Sequence, residues 1–449
     1  MLESITIRGV GPVSPLNAKF APRMNVITGD NGLGKSFLLD VCFWALTGTW
    51  PAGKAALPRA GVVDPSISWV MQSKTTTINR DVEFDQQTQS WTRKRGRPPM
   101  PGLVVYGNAA GNFAVWDPAR NYWRDGKSTA DASEWPRAFL FAAEQAPEDW
   151  DADSRPRTSD LFAIHRDIAN GLVEYGHVVC SGLIADWTNW YYQRSSEPDS
   201  ASAFNVLEHV VSVLSHPTEQ IRCAAPERVL LNDSRRFPAI DMPYGRVPYP
   251  QWSAGVKRII HFAYLLVWAW MEHREAAKLR GEEPTKRMVL LVDEMESHLH
   301  PRWQRSILPA ILKVAELLSP DLTIQIIATT HSPLVLASLE PGFNEDLDQL
   351  FCFHFDPKAP REEMVTFDAL PWVNHGDAVG WLTSDVFGLT QARSNEAEIA
   401  IEAAEAFARG DLNALPDNLQ TRDAITKELQ RVLGSMDPFW PRWLVQVRQ

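Results

Sequence analysis

The residues able to do chemistry together fall in four short stretches. Gly29-Asp30-Asn31-Gly32-Leu33-Gly34-Lys35-Ser36 fits G-x-x-x-x-G-K-[ST], a loop whose successive backbone N–H groups curl round an anion. Gly29, Gly32 and Gly34 allow the tight turn and a close approach to a phosphate chain, with Asn31 in the same loop. Lys35 is a cation for the β- and γ-phosphates of a nucleoside triphosphate, and the Ser36 hydroxyl suits Mg²⁺. Met288-Val289-Leu290-Leu291-Val292-Asp293-Glu294 reads as a buried strand ending in two carboxylates. Asp293 would serve Mg²⁺, and Glu294 beside it would polarise an attacking water. Leu322 to Thr330 is a further apolar strand that runs into His331-Ser332-Pro333. Alone, His331 is an ordinary strand-end residue; next to Asp293 and Glu294 it can touch a γ-phosphate. Trp252-Ser253-Ala254-Gly255 opens a long helix. Ser253 there is either a simple N-cap or, with Gly255, part of an anion site.

These side chains need a strand entering the glycine loop and a helix leaving it. Met24 to Thr28 and Phe37 to Leu46 supply them, and the helix would aim its positive end at the phosphates. Two short alternating stretches, 2–8 and 16–20, precede the loop strand and predict a small antiparallel element laid over the main sheet. Further strands are expected at 67–71, 75–84, 103–106, 113–116 and 138–141, and helical periodicity from Ser159 to Leu214. Residues 222–250, punctuated by Pro226, Pro238, Pro243, Pro248 and Pro250, read as a linker, and the last 75 residues as mainly helical. No sustained heptads lie between Ser36 and Ser253, so no long coiled-coil arm is expected.

Composition narrows the class. The 449 residues are 45% hydrophobic, enough for a large core, and carry a net charge of −11. A non-specific nucleic-acid binder is normally basic, so any contact with DNA or RNA needs a local basic patch. Arg93-Lys94-Arg95-Gly96-Arg97-Pro98-Pro99 is one candidate, readable also as a solvated hairpin tip. Cys42, Cys180, Cys223 and Cys352 are scattered, which argues against a zinc hook or disulfide framework and for a reducing compartment. The longest apolar run, Ile259 to Met271, is shorter than the roughly 18 residues of a membrane span. A soluble, cytoplasmic protein without a membrane partner is expected.

The order of these motifs resembles the ABC-type ATPase heads, which include transporter subunits, SMC-like and RecF-like DNA-repair proteins and the OLD-like ATPases of phage defence. Ser253-Ala254-Gly255 looks like a variant of the L-S-G-G signature, with Trp252 and Ala254 in place of Leu and Gly. Asp293-Glu294-Met295-Glu296-Ser297-His298-Leu299-His300-Pro301 followed by Thr329-Thr330-His331-Ser332-Pro333 resembles the pattern of OLD-like and Septu- or retron-associated defence ATPases, as does Ala392-Arg393-Ser394-Asn395-Glu396. The resemblance implies an α/β fold: an ABC-type P-loop head with an antiparallel β subdomain and an inserted helical lobe. The divisions expected are 1–130 and 251–356 for the two halves of the head, 131–250 for the insertion and linker, and 357–449 for a helical tail. It implies ATP and Mg²⁺ as cofactors, with ATP bound by Gly29, Asn31, Gly32, Gly34, Lys35 and Ser36 of one subunit and by Ser253 and Gly255 of another. Metal would fall to Ser36 and Asp293, and catalysis to Glu294 and His331. A Q-loop glutamine is expected at Gln145, with Gln72 as the alternative. Glu296, His298 and His300 could instead form a metal cluster, although Leu-His-Pro is more simply the loop after the carboxylates. The function implied is a dimerising ATPase switch in antiviral defence that controls a separate effector such as a nuclease, since no nuclease motif is evident in the chain. A RecF- or SMC-like repair ATPase is the alternative, and a transporter subunit a third reading.

Overall fold

The computed structural model describes residues 1–51, 55–73, 76–91, 100–121, 138–143, 166–174, 177–195, 202–360 and 364–446. The basic turn at 93–99 and Gln145 lie outside the described residues. The chain forms two compact units, Met1–Asn374 and His375–Gln449.

The larger unit is built on an eight-stranded mixed sheet. Its strands are β3 (Met24–Gly29), β7 (Leu103–Gly107), β8 (Phe113–Trp116), β9 (Phe139–Phe141), β16 (Arg287–Asp293), β17 (Thr323–Thr329), β18 (Asp348–Phe355) and β19 (Val365–Leu370). Their order is β19-β18-β3-β17-β16-β7-β8-β9, with β18, β3, β17, β16 and β7 mutually parallel. The parallel strands are apolar on both faces because both faces are covered, which explains the unbroken run Met288–Val292. Parallel pairing also brings the C-terminal ends of β3, β17, β16 and β7 to one edge, where ligands of open α/β sheets bind.

A second sheet is antiparallel, in the order β2-β1-β4-β5-β6: β1 (Leu2–Arg8), β2 (Leu16–Lys19), β4 (Ser66–Gln72), β5 (Thr77–Asp85) and β6 (Ser90–Trp91). Along β1 and β4 buried and more exposed residues alternate, so one face is left for the core. Helix α1 (Lys35–Thr47) lies in the hydrophobic cluster that both sheets share, which is why Leu38 to Leu46, apart from Asp40, are apolar all round. Buried amides fasten the layers. Gln325 of β17 accepts from the Leu2 amide at 2.8 Å and donates to the Leu2 and Ala21 carbonyls, and Asn25 of β3 closes a pair with Ala21.

The insertion between β9 and β16 is mixed rather than helical. β10 (Arg166–Asp167), β11 (Gly171–Glu174) and β12 (His177–Cys180) form a small sheet where helical periodicity predicts helix, and among the described residues α2 (Leu183–Gln193) and α3 (Ala203–Leu214) meet that expectation. Gly171 and Gly182 pack backbone to backbone, a closeness that favours a hairpin stack. The predicted linker is also a sheet: β13 (Arg222–Glu227), β14 (Phe237–Met242) and β15 (Gly245–Pro248). Its prolines mislead because Pro226 and Pro238 sit in the register shift between Ala224 and Glu227, where ladder donors are not needed. After it come α4 (Ala254–Leu279), α5 (Pro301–Leu318), which follows β16, and α6 (Pro333–Leu339), which follows β17.

The C-terminal unit is helical, with α7 (Ala378–Leu382), α8 (Asn395–Arg409), α9 (Arg422–Val432) and α10 (Phe439–Gln446). Ala400, Ile401, Ala404, Ile425, Leu429 and Trp443 fill its core. Ser394 caps α8 by accepting from the Ala397 amide, and Arg393 pairs with Asp437, so the Ala392–Glu396 motif is here a fastened helix start.

Candidate functional site

The glycine loop leaves β3 and enters α1 in the order the motif demands. Gly29, Gly32 and Gly34 all have positive φ, at 126°, 77° and 102°. At Gly29 a Cβ would lie 2.3 Å from the Phe353 carbonyl oxygen, so a side chain there collides with β18. At Gly32 it would meet nothing within 4 Å, so the loop is open on that side. Asn31, Gly32 and Ser36 are surface residues or nearly so, whereas Lys35 is 4% exposed and donates from Nζ to the Gly29 and Asp30 carbonyls at 2.9 and 2.7 Å. Burial lowers the Lys35 pKa, while Glu294, Asp293 and Asp30 act the other way. The parallel register of β3, β17 and β16 puts the carboxylates at the end of β16 on the same sheet edge as the loop.

Asp293 ends β16 and is buried. Its Oδ1 accepts from the Thr329 hydroxyl at 2.6 Å and its Oδ2 from the Ala109 amide at 3.3 Å. The same Thr329 hydroxyl accepts from the Glu294 amide at 3.1 Å, so one side chain at the end of β17 sets both acids. Glu294 has φ 46°, a left-handed conformation unusual for its type, and this turns its carboxylate onto His331: Oε1 to Nε2 is 3.0 Å, both side chains 29% exposed. The His331 pKa lies below the ordinary value through burial first and Lys35 second, with Glu294 opposing both. At neutral pH the ring is therefore uncharged, with Nε2–H donated to Glu294.

Several residues whose positioning role motif reading misses complete the edge. Glu296 is buried, and its Oε1 accepts from the Thr330 hydroxyl at 2.5 Å and the His331 amide at 3.2 Å, holding the turn that carries the histidine. Burial raises its pKa against those two hydrogen bonds. Asp40, one turn into α1, accepts from the Tyr106 hydroxyl at 2.9 Å, and burial pushes its pKa up to about 6, with Asp293 adding to the rise. Arg258, in the first turns of α4, donates to the carbonyls of Asn108, Ala109, Asp293 and Glu294. A third acid two residues past the Asp-Glu pair and an arginine five past Ser253 were the available signals.

Ser253 is exposed and caps α4, its Oγ accepting from the Val256 amide. Gly255 packs on the loop after β16, where a Cβ would be 3.0 Å from the His298 carbonyl oxygen. The metal alternative fails on geometry: Glu296 faces Thr330 and His331 while His300 caps α5. Among the described residues no group of three or more His, Cys, Asp or Glu could hold a metal ion. The alternative glutamine, Gln72, ends β4, and Arg287 donates to its carbonyl. Arg287 begins the strand that Asp293 ends, so Gln72 lies by the opposite end of β16 from the carboxylates and is unsuited to a Q-loop.

A glycine loop between strand and helix, faced by two strand-end carboxylates and a histidine, defines a P-loop ATPase core. Two family profiles match the two halves: residues 4–106 match "AAA domain", and residues 241–337 match "AAA domain, putative AbiEii toxin, Type IV TA system". Together they contain every expected site residue except Gln145. The chain is related to a Septu protein PtuA of Bacillus thuringiensis, 23% identical over 416 residues that cover 88% of this chain and 86% of that one. It is also similar to the "Retron Ec83 probable ATPase" of Escherichia coli, 40% identical over 52 residues, 12% of this chain and 8% of that one. Among solved structures, the SMC head domain from Thermotoga maritima aligns with 83% of this chain and 99% of that one, at 17% identity and a TM-score of 0.37. These relatives uphold the expected kinship with the Septu- and retron-associated ATPases. Among the described residues no helix is long and apolar enough to cross a membrane.

Proposed function

We propose that the chain hydrolyses ATP as a switch, pairing with a second copy in the ATP state and parting after hydrolysis. The observation that carries the reading is the arrival at one sheet edge of the glycine loop with Lys35 after β3, of Asp293 and Glu294 at the end of β16 and of His331 after β17, with Glu294 and His331 3.0 Å apart. Gly29, Asn31, Gly32 and Gly34 cradle the phosphates through backbone N–H groups, and Lys35 leaves its carbonyl partners for them. The Ser36 hydroxyl and the Asp293 carboxylate are the protein oxygens that would hold Mg²⁺, a hard cation suited to oxygen ligands. When bound, Mg²⁺ neutralises charge on the phosphate oxygens. Glu294 orients and accepts a proton from the attacking water, and His331, whose backbone amide Glu296 holds, turns its single Nε2–H from Glu294 towards the γ-phosphate.

The exposed cap at Ser253, with Gly255 behind it, faces outward and suits the γ-phosphate of ATP held by another subunit. Pairing would complete two composite sites. The Septu and retron relatives favour a regulator of antiviral defence acting on a separate effector, a nuclease or toxin, with nucleic acid a candidate trigger through a local basic patch.

The test is Glu294→Gln. Loss of a positioned general base costs about 10²–10⁴ in rate, and hydrolysis should fall by that order while ATP stays bound. The variant should accumulate as a Mg-ATP-dependent dimer in light scattering. Hydrolysis at the wild-type rate would place the base elsewhere, and loss of hydrolysis without assembly would remove the composite site.

A further inference from the structure

The first turns of α4 contain a cation whose position belongs to neither half of the motif set. Arg258 is buried, and its guanidinium is spent on backbone carbonyls: Nη1 to Ala109 at 2.7 Å, Nη2 to Asn108 at 3.3 Å, Asp293 at 3.1 Å and Glu294 at 3.0 Å. Burial lowers its pKa, with Glu296, Asp293 and Glu294 opposing, and an arginine stays charged against such a shift. The fork therefore joins three segments: the helix that begins at Ser253, the loop after β7 and the turn after β16. The loop after β7 is itself part of the site, because the Ala109 amide donates to Asp293 Oδ2. The turn is the strained one, with Glu294 at φ 46° and its carbonyl shared between Arg258 and the Ser297 hydroxyl at 2.6 Å.

We propose that Arg258 is the positioning residue through which engagement of Ser253 by a second subunit reaches the Asp293–Glu294 peptide. The proposal rests on the composite-site reading above. A helix moves as a rod, and Arg258 lies five residues, about 7.5 Å along the axis, from Ser253. A shift or tilt of the helix end on docking moves the guanidinium, and four carbonyls at the carboxylate edge must follow. Lysine cannot copy this, since its compact ammonium lacks the planar fork that spans two segments at once.

The experiment compares the wild-type chain with Arg258→Lys, Ser253→Arg and the double variant. Melting temperature, KM for ATP, kcat and Mg-ATP-dependent assembly are measured for each. Arg258→Lys should fold, keep KM within about threefold, still assemble in Mg-ATP, and lose at least about tenfold in kcat. Because both residues act along one route, the double variant should be no slower than the slower single variant, whereas independent sites would multiply their losses. A wild-type kcat in Arg258→Lys, or multiplied losses, overturns the proposal and leaves the ATPase reading standing. If the wild-type chain never assembles in Mg-ATP, the composite-site reading and the proposal fall together. Should Arg258→Lys not fold, amide hydrogen exchange on the wild-type chain decides. Mg-ATP must change protection at Asn108 and Ala109, and Ser253→Arg must abolish that change; unaltered exchange there overturns the proposal.

Discussion

The two sides of the sheet edge are held by different means. On the glycine-loop side, conformation is set by backbone: three glycines at positive φ, one pressed against the Phe353 carbonyl, and Lys35 folded onto two loop carbonyls. On the carboxylate side it is set by side chains from separate elements: Thr329 on Asp293 and Glu294, Glu296 on Thr330 and His331, Arg258 on the carbonyls beneath. Backbone cradles need particular residue types at fixed spacing, so they leave a local signature. Side-chain scaffolds need only partners that meet in space, and their members lie scattered through the chain.

The largest test of this contrast falls on the loop side. Lys35→Ala removes the cation proposed to face the phosphates, and truncating one partner of a desolvated charge pair costs about 2–5 kcal/mol. ATP affinity should fall about 10²-fold or more by calorimetry. Lys35 is buried, so the substitution also strips a donor from two carbonyls, and a loss of about 1–3 kcal/mol in stability should accompany it. Undiminished affinity in a folded variant would mean that the loop does not bind ATP through this lysine.

A smaller test reads both sides through one proton. Burial lowers the His331 pKa, Lys35 lowers it further and Glu294 raises it. The substitutions should therefore move the ring in opposite directions in NMR titration. Lys35→Ala should raise the His331 pKa, and Glu294→Gln should lower it further below its ordinary value. Since the neutral form is favoured in the folded chain, His331 should take up its proton only below the usual histidine range. Shifts of the same sign in both variants would show that His331 does not lie between the two sides.

The same contrast explains what the sequence makes legible. The loop, Asp293, Glu294 and the strands beneath them are readable because local pattern and buried β-strand periodicity coincide. The roles of Thr329 and Glu296, which the motif pattern contains, and of Arg258 are not, because each acts on a segment distant in sequence and none has a chemistry unique to its type. The strands at 166–180 and 222–248 were hidden for other reasons. Close packing of Gly171 on Gly182 overrides helical periodicity in the first, and in the second a bulge admits Pro226 and Pro238.

The smallest effect is expected at Gly255, where backbone freedom and side-chain crowding meet in one hydrogen-to-methyl change. Alanine in place of glycine within a helix gains about 0.5–1 kcal/mol by restricting the unfolded chain. Here the new Cβ would sit 3.0 Å from the His298 carbonyl oxygen, and His298 holds φ 66° in a loop with little freedom to retreat. The gain and the crowding oppose one another, so unfolding free energy in denaturant should change by less than about 1 kcal/mol. Assembly is a separate question. If Gly255 is small so that a partner's phosphate can approach the start of α4, Gly255→Ala should weaken Mg-ATP-dependent pairing severalfold with stability nearly unchanged. If it is small only to accommodate His298, pairing and stability should both be untouched or should fall together. A variant that pairs as the wild type does would confine Gly255 to packing and leave Ser253 as the candidate contact with a partner's phosphate at the start of α4.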